Sequence, residues 1–335
     1  MVDKLSLILV TGATGTVGPR VVEALIDAGH SIRTLSLDPP PPAIWSKTIE
    51  TQVGDITDPT VVQAAMQGVD ALVHLAALLH IVNPTAELRH QYERINVGGT
   101  ATVVEAALRA NVKRVVLFST IAVYGDSRGQ ILDEQTQPKP KTFYEQTKLD
   151  AEHIVLNAKD SSGQPIGVVL RLAAVYGSRI KGNYRQLLKT LAKGHFLPLG
   201  KGRNRRTLVY DKDVARAAVL AIRHPDAAGK VFNVSDGKFH YMNDIIASMC
   251  KALDKNAPRF SMPIGPVRWA AGIVEDVAHV IGRKPPIQRA TIDKYTEDMA
   301  VDSQRIQKDL KFVPKFDLIS GWTETVREMR LAGEL

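Results

Sequence analysis

Short apolar runs alternate with helically spaced segments along most of this chain. Leu5-Ser6-Leu7-Ile8-Leu9-Val10 is brief and apolar on both faces, the pattern of a strand buried within a parallel sheet. The turn Thr11-Gly12-Ala13-Thr14-Gly15-Thr16-Val17-Gly18 follows at once, and Val21, Val22, Leu25 and Ile26 then recur at helical spacing up to Gly29. Further strands are expected at 31–37, 48–53, 71–75, 114–120 and 168–172, with a late one at 230–235. Helical patterns open at Ile95-Asn96, at Phe143 and at Met242, and Trp322 and Val326 mark a terminal helix. Strand, helix, strand in this order predicts an α/β fold built on a doubly wound parallel sheet, with its ligand outside the C-terminal strand ends. The stretch 266–281 is amphipathic, with Trp269, Ile273, Val277 and Val280 roughly on one face, and reads as a helix packed over a substrate lobe rather than one lying on a membrane.

The glycine-rich turn sits between a strand and a helix, where glycine permits a tight bend and close approach of the backbone to a pyrophosphate. The next strand ends in Ser36-Leu37-Asp38, where the adenosine ribose of a dinucleotide lies. Asp38 is within reach of that ribose, and no arginine closes the strand, which favours NAD and leaves NADP as the alternative. Asp55 either caps the following helix or accepts the adenine amino group. His74 has no partner at metal spacing and reads as a packed histidine; no metal site is expected.

The stretch Phe143-Tyr144-Glu145-Gln146-Thr147-Lys148 carries the candidate chemistry. Its i, i+4 spacing puts the Tyr144 phenol and the Lys148 ammonium on one helix face. A tyrosine brought from about 10 to about 7 needs roughly 4 kcal/mol of differential stabilisation, much of which a neighbouring cation is expected to supply, more so in a dry cleft beside a positively charged cofactor ring.

Composition narrows the class. The 335 residues carry a net charge of +8, but the basic side chains are scattered rather than striped, and only Lys201-Gly202-Arg203-Asn204-Arg205-Arg206 is concentrated, which a small anionic substrate explains at least as well as nucleic acid. A single cysteine, Cys250, excludes an internal disulfide framework and fits a reducing cytoplasm. No N-terminal signal and no transmembrane run is expected.

The ordered motifs T-G-A-T-G-T-V-G from Thr11, G-D-I-T-D from Gly54, H-L-A-A from His74, N-V-G-G-T from Asn96, F-S-T-I-A-V-Y-G from Phe118 and Y-E-Q-T-K from Tyr144 resemble the extended short-chain dehydrogenase/reductase family. Within it the chain is most similar to the nucleotide-sugar branch typified by UDP-glucose 4-epimerase and the UDP-hexose 4-ketoreductases. The resemblance implies a Rossmann domain over mainly 1–165 and a smaller α/β substrate lobe over mainly 166–335, with some elements returning to the first. It implies that Gly12, Gly15, Thr16 and Val17 hold the pyrophosphate and that Asp55 and Ile56 hold adenine. Leu75, Ala76 and Ala77 are expected along the cofactor, and Thr14, Asn96 and Ser119 are assigned to it too. Tyr144 becomes the acid/base, Lys148 serves the nicotinamide ribose and the tyrosine, and Thr120 takes the place of the serine or threonine that bonds the reacting oxygen. In the second half, Arg171-Leu172-Ala173-Ala174-Val175-Tyr176-Gly177 resembles R-P-x-N-V-Y-G, but Leu172 and Ala174 depart from it, and Ala174 removes an amide that commonly meets substrate. Asn183 and Arg206 match diphosphate contacts.

The implied function is hydride transfer at a carbinol carbon of a nucleoside-diphosphate sugar, by an epimerase or a 4-ketoreductase acting as a homodimer through the helices around 96–110 and 144–158. A 3β-hydroxysteroid dehydrogenase-like oxidoreductase and a non-catalytic dinucleotide sensor are the alternatives.

Overall fold

The apolar runs assemble into one sheet. The computed structural model describes residues 7–41, 44–45, 49–79, 85–194, 196–281 and 289–335. Seven strands pair in parallel: β1 (Leu7–Thr11), β2 (Ser31–Ser36), β3 (Glu50–Val53), β4 (Ala71–His74), β5 (Arg114–Thr120), β6 (Gly167–Leu172) and β7 (Lys230–Val234). Their order across the sheet is β7-β6-β5-β4-β1-β2-β3, so the winding reverses between β1 and β4. Every residue of β4 and β6 is buried, which is why these strands read as mainly apolar rather than alternating, with His74 and Arg171 as the buried polar exceptions. Leu5, Ser6 and Thr48, placed in strands by their pattern, lie outside the described residues.

Helices cover both faces. On one face α1 (Gly18–Asp27) contributes Val21, Val22 and Leu25. The other carries α2 (Pro59–Ala65) and, after α3 (Ala86–Tyr92), α4 (Thr100–Arg109) and α5 (Phe143–Leu156), whose Val62, Val103, Ala107, Ala151 and Val155 share one core. The second half supplies α6 (Asn183–Ala192), α7 (Asp211–Arg223), α8 (Met242–Ala252), α9 (Ile264–Val280), α10 (Arg289–Thr296), α11 (Gln304–Leu310) and α12 (Leu318–Leu331). Tyr176, Tyr210, Met249 and Trp322 centre a separate core there. The two halves interlock, since β6 and β7 extend the sheet and Ala217, Ala218 and Ala221 of α7 join the core beneath α1.

Two local readings are revised. The helix expected from Ile95 begins as a π-helical turn, Glu93–Gly99, before α4 takes over; such bulges concentrate at functional sites. The helix α9 forms, but Trp269 is 72% exposed and Ile273 44% exposed, so the apolar face does not pack over the lobe. Its buried side is instead the small pair Ala271 and Gly272, and the ion pairs Arg268–Asp293 and Arg289–Asp276 fasten it to α10. The side chains of Val277 and Val280 lie outside the described set.

Candidate active site

A cleft of about 550 Å³ opens at the C-terminal ends of β1, β4, β5 and β6, beside the point where the winding reverses. At its floor, Gly12 has φ +69°, and a Cβ there would stand 2.7 Å from the Ala76 amide nitrogen. Only glycine lets β1 turn this closely past the end of β4. The N-cap of α1 is Val17, which offers no side-chain oxygen; Pro19 has no N–H and the Arg20 N–H donates to the Val17 carbonyl at 3.1 Å, so the Gly18 N–H is the first-turn donor left for an anion. Gly15, Thr14, Thr16 and Val17 all line the cleft, as do Asp55 and Ile56 after β3 and Leu75, Ala76 and Ala77 after β4. An anionic dinucleotide therefore fits these residues: a glycine cradle for phosphate, the Gly18 N–H at the start of α1, and small side chains along its path.

On the other wall, β5 delivers Ser119 and Thr120, and α5 delivers Tyr144 and Lys148. Helix α5 starts sharply because Thr142 and Glu145 form a reciprocal capping box, with Thr142 Oγ1 accepting from the Glu145 N–H at 3.2 Å and Glu145 Oε2 accepting from the Thr142 N–H at 3.0 Å. A cap of this kind contributes about 1 kcal/mol and fixes which residues face inward. The inward stripe is Thr147, Lys148, Ala151, Glu152 and Val155, so a cation and an anion occupy positions where a purely structural helix would carry leucine or alanine.

The electrostatics depart from the simple expectation. Burial pushes the Tyr144 phenol up to about 12, with Tyr92 and Glu145 adding to the rise. Burial likewise drives Lys148 down to about 8, against the opposing pull of Glu152. Lys148 alone therefore does not make Tyr144 acidic, because desolvation penalises both charged forms at once. His74 falls to about 3 through burial and the Lys148 cation, and is neutral. Its tautomer follows from its neighbours. Thr100 Oγ1 donates to the Asn96 carbonyl at 2.6 Å, leaving it to accept from His74 Nε2–H, while Thr11 Oγ1 donates to Nδ1 at 2.6 Å.

Four expected residues stand elsewhere. Asp38 is exposed past the end of β2, and Ser36 and Leu37 line the cleft in its stead. Asn96 is buried behind the wall: its Oδ1 accepts from the Leu78 N–H at 2.7 Å and its Nδ2 donates to Thr147 Oγ1 at 3.2 Å, tying the segment after β4 to α5. Asn183 faces a separate cavity of about 40 Å³ with Tyr184 and Trp322. Arg206 turns to Glu297 at 3.8 Å and to the carbonyls of Lys294 and Tyr295. Conversely, Arg94 and Lys181 line the cleft unannounced. Arg94 sits 3.9 Å from Asp55, and nothing in the local spacing marks it; Lys181 lies on both cavities and was legible only as the residue before Gly182-Asn183.

Residues 8–235 match the family described as NAD dependent epimerase/dehydratase. The chain belongs to that family. It is 29% identical over 326 residues to a UDP-glucose 4-epimerase of Vibrio cholerae, covering 96% of this chain and 94% of that one. It is 27% identical over 337 residues to a 3 beta-hydroxysteroid dehydrogenase/Delta 5-->4-isomerase of Mycobacterium tuberculosis, covering 97% and 90%. The fold is shared with UDP-glucose 4-epimerase from Thermotoga maritima, solved with UDP-glucose, at a TM-score of 0.77 and 21% identity over 98% of this chain and all of that one. The family member is thus an enzyme of the extended short-chain dehydrogenase/reductase type with a Rossmann-like sheet. Among the described residues no helix is long and apolar enough to cross a membrane.

Proposed function

We propose that the protein is an NAD-dependent nucleotide-sugar 4-epimerase or 4-ketoreductase, with NADP as the alternative cofactor. The convergence of Tyr144, Lys148 and Thr120 on the cleft that begins at Gly12 carries this reading. Bound in that cleft, a nicotinamide dinucleotide supplies hydride acceptance and, in the return direction, hydride donation. Tyr144 Oη removes the proton of the sugar hydroxyl and restores it in the reverse sense. Its phenolate is costly in so dry a place, and Lys148 together with a cationic ring offsets that cost where neither suffices alone. Thr120 orients the reacting oxygen; its Oγ1 already accepts from the Ala122 N–H at 3.1 Å, which leaves its own hydrogen to donate. Lys181 on the cleft wall supplies charge for a diphosphate. Gly12, Thr14, Gly15, Thr16 and Val17 receive the pyrophosphate, and Asp55 and Ile56 the adenine.

A second reading has specific support. Arg206 is engaged by Glu297 away from the cleft, Ala174 lacks an amide, and Leu172, Ala173, Val175 and Ile180 make the substrate wall apolar. These features suit a 3β-hydroxysteroid as well as a sugar. One panel separates the two: nucleoside-diphosphate sugars and 3β-hydroxysteroids, each with NAD and with NADP, followed by nicotinamide absorbance and by NMR of the product. Epimerised sugar without net cofactor reduction supports epimerisation. Stoichiometric reduction with a steroid alone overturns the sugar reading.

A further inference from the structure

The buried stripe of α5 continues past Lys148 to Glu152, one turn on, whose carboxylate is wholly excluded from solvent. Its oxygens are fully used. Oε1 accepts from Ser119 Oγ at 2.5 Å and from Arg171 Nε at 3.0 Å, and Oε2 accepts from Arg171 Nε at 3.1 Å and Nη2 at 2.6 Å. Strand register produces this meeting, because Ser119 of β5 lies opposite Arg171 of β6. The Arg171 guanidinium is in turn stacked 4.7 Å from the Tyr124 ring centroid, and the Tyr124 hydroxyl donates to Asn233 Oδ1 at 2.9 Å.

A buried ion pair is a poor device for stability alone, since well-packed apolar residues of similar size do as well or better. Here it stands immediately behind the lysine of the cleft. We propose that Glu152 and Arg171 form a positioning pair for Lys148, with Glu152 as its counter-charge and Arg171 as the restraint that keeps Glu152 from closing onto the ammonium. The bidentate fork occupies both carboxylate oxygens and aims them at β6 and Ser119, so Lys148 feels the negative charge without being captured by it. The other groups around Lys148 do not replace this: Tyr144, Ser119 and Thr120, which line the same cleft, are an un-ionised phenol and two uncharged hydroxyls, and His74 of β4, which senses the Lys148 charge, is neutral. The inference rests on the proposed reading for why Lys148 matters, but its geometry does not.

The test reads Lys148 directly. The protein is labelled with acetic anhydride over a pH series and modification of Lys148 is quantified by mass spectrometry, with thermal melting and NAD affinity measured alongside. Glu152→Gln removes the counter-charge and leaves Arg171 uncompensated, so Lys148 loses its proton more readily and labels roughly fivefold to tenfold faster at pH 7. Arg171→Gln releases Glu152 towards the ammonium, and labelling slows several-fold. A purely structural pair would move both in the same direction, or neither, and either outcome overturns the proposal. Where a single variant does not fold, the neutral double variant E152Q/R171M carries the test: it labels faster than wild type, and an unchanged rate overturns the proposal. Failure of wild type to bind NAD would count against the proposed function alone, since the labelling contrast needs neither cofactor nor substrate.

Discussion

Tyr144 and Lys148 lie one turn apart on α5, yet burial moves their proton affinities in opposite directions, the phenol up to about 12 and the ammonium down to about 8. The protein therefore keeps a desolvated cation at neutral pH at a cost to its own stability. Lys148 titrates below the usual lysine value of 10.5, so between about pH 8 and that value the unfolded chain binds the extra proton. Stability accordingly rises with pH across this window, and the cost is complete below it. Replacing Lys148 by Met is expected to stabilise the fold by about 2 to 3 kcal/mol at pH 7, following the size of the displacement. The gain should fade towards pH 10, as read by denaturant unfolding at both values. Turnover should fall by about a hundredfold or more in the same variant.

Tyr144→Phe separates binding from chemistry. The ring keeps its packing beside Tyr92, whose centroid is 6.1 Å away, and the cleft keeps its shape. Turnover should drop by about a hundredfold to ten-thousandfold, while NAD affinity measured by calorimetry stays within about twofold. A dinucleotide-sensing role requires instead that the response survive the substitution.

Gly12→Ala tests the floor of the cleft. A methyl group there meets the Ala76 backbone, and the positive φ adds strain that alanine tolerates poorly. The expected outcome is a loss of about 2 kcal/mol in unfolding free energy and of NAD binding beyond about tenfold. Retained binding at wild-type affinity would place the cofactor away from this turn.

Local spacing made much of the fold and part of the site legible. The strand, glycine turn and helix at 7–27 are contiguous, and Tyr144 and Lys148 lie within one turn, so their juxtaposition needs no tertiary information. What escaped depends on distant chain. Arg206 is drawn off by Glu297, and Arg171 meets Glu152 only through the register of β5 with β6. Charge proximity between Tyr144 and Lys148 shows in the sequence, whereas the desolvation that raises the phenol does not. Helix α9 has the periodicity of a packed element, but Trp269 and Ile273 face outward because Ala271 and Gly272 form the buried side.

Arg94 is a consequence of that blindness. Its guanidinium stands next to Asp55 in the cleft, where adenosine is proposed to lie, on the π-helical turn that leads into α4. Arg94→Ala is expected to weaken NAD binding by about threefold to tenfold, the worth of an exposed cation–π or polar contact, with turnover at saturating cofactor unchanged. Equal affinities in a titration monitored by cofactor fluorescence would remove Arg94 from the binding surface.

The order of strands has a practical bearing on dissection of the chain. Because β6 enters the sheet beside β5 only after residue 166 and β7 follows beyond it, a fragment stopping at 165 would expose the whole edge of β5, whose residues Val115 to Phe118 are buried and apolar. Such an edge invites pairing with other copies. Severing the polypeptide at the apparent midpoint should thus give an aggregating fragment, and solubility should return only when the complementary piece is co-expressed and donates its strands.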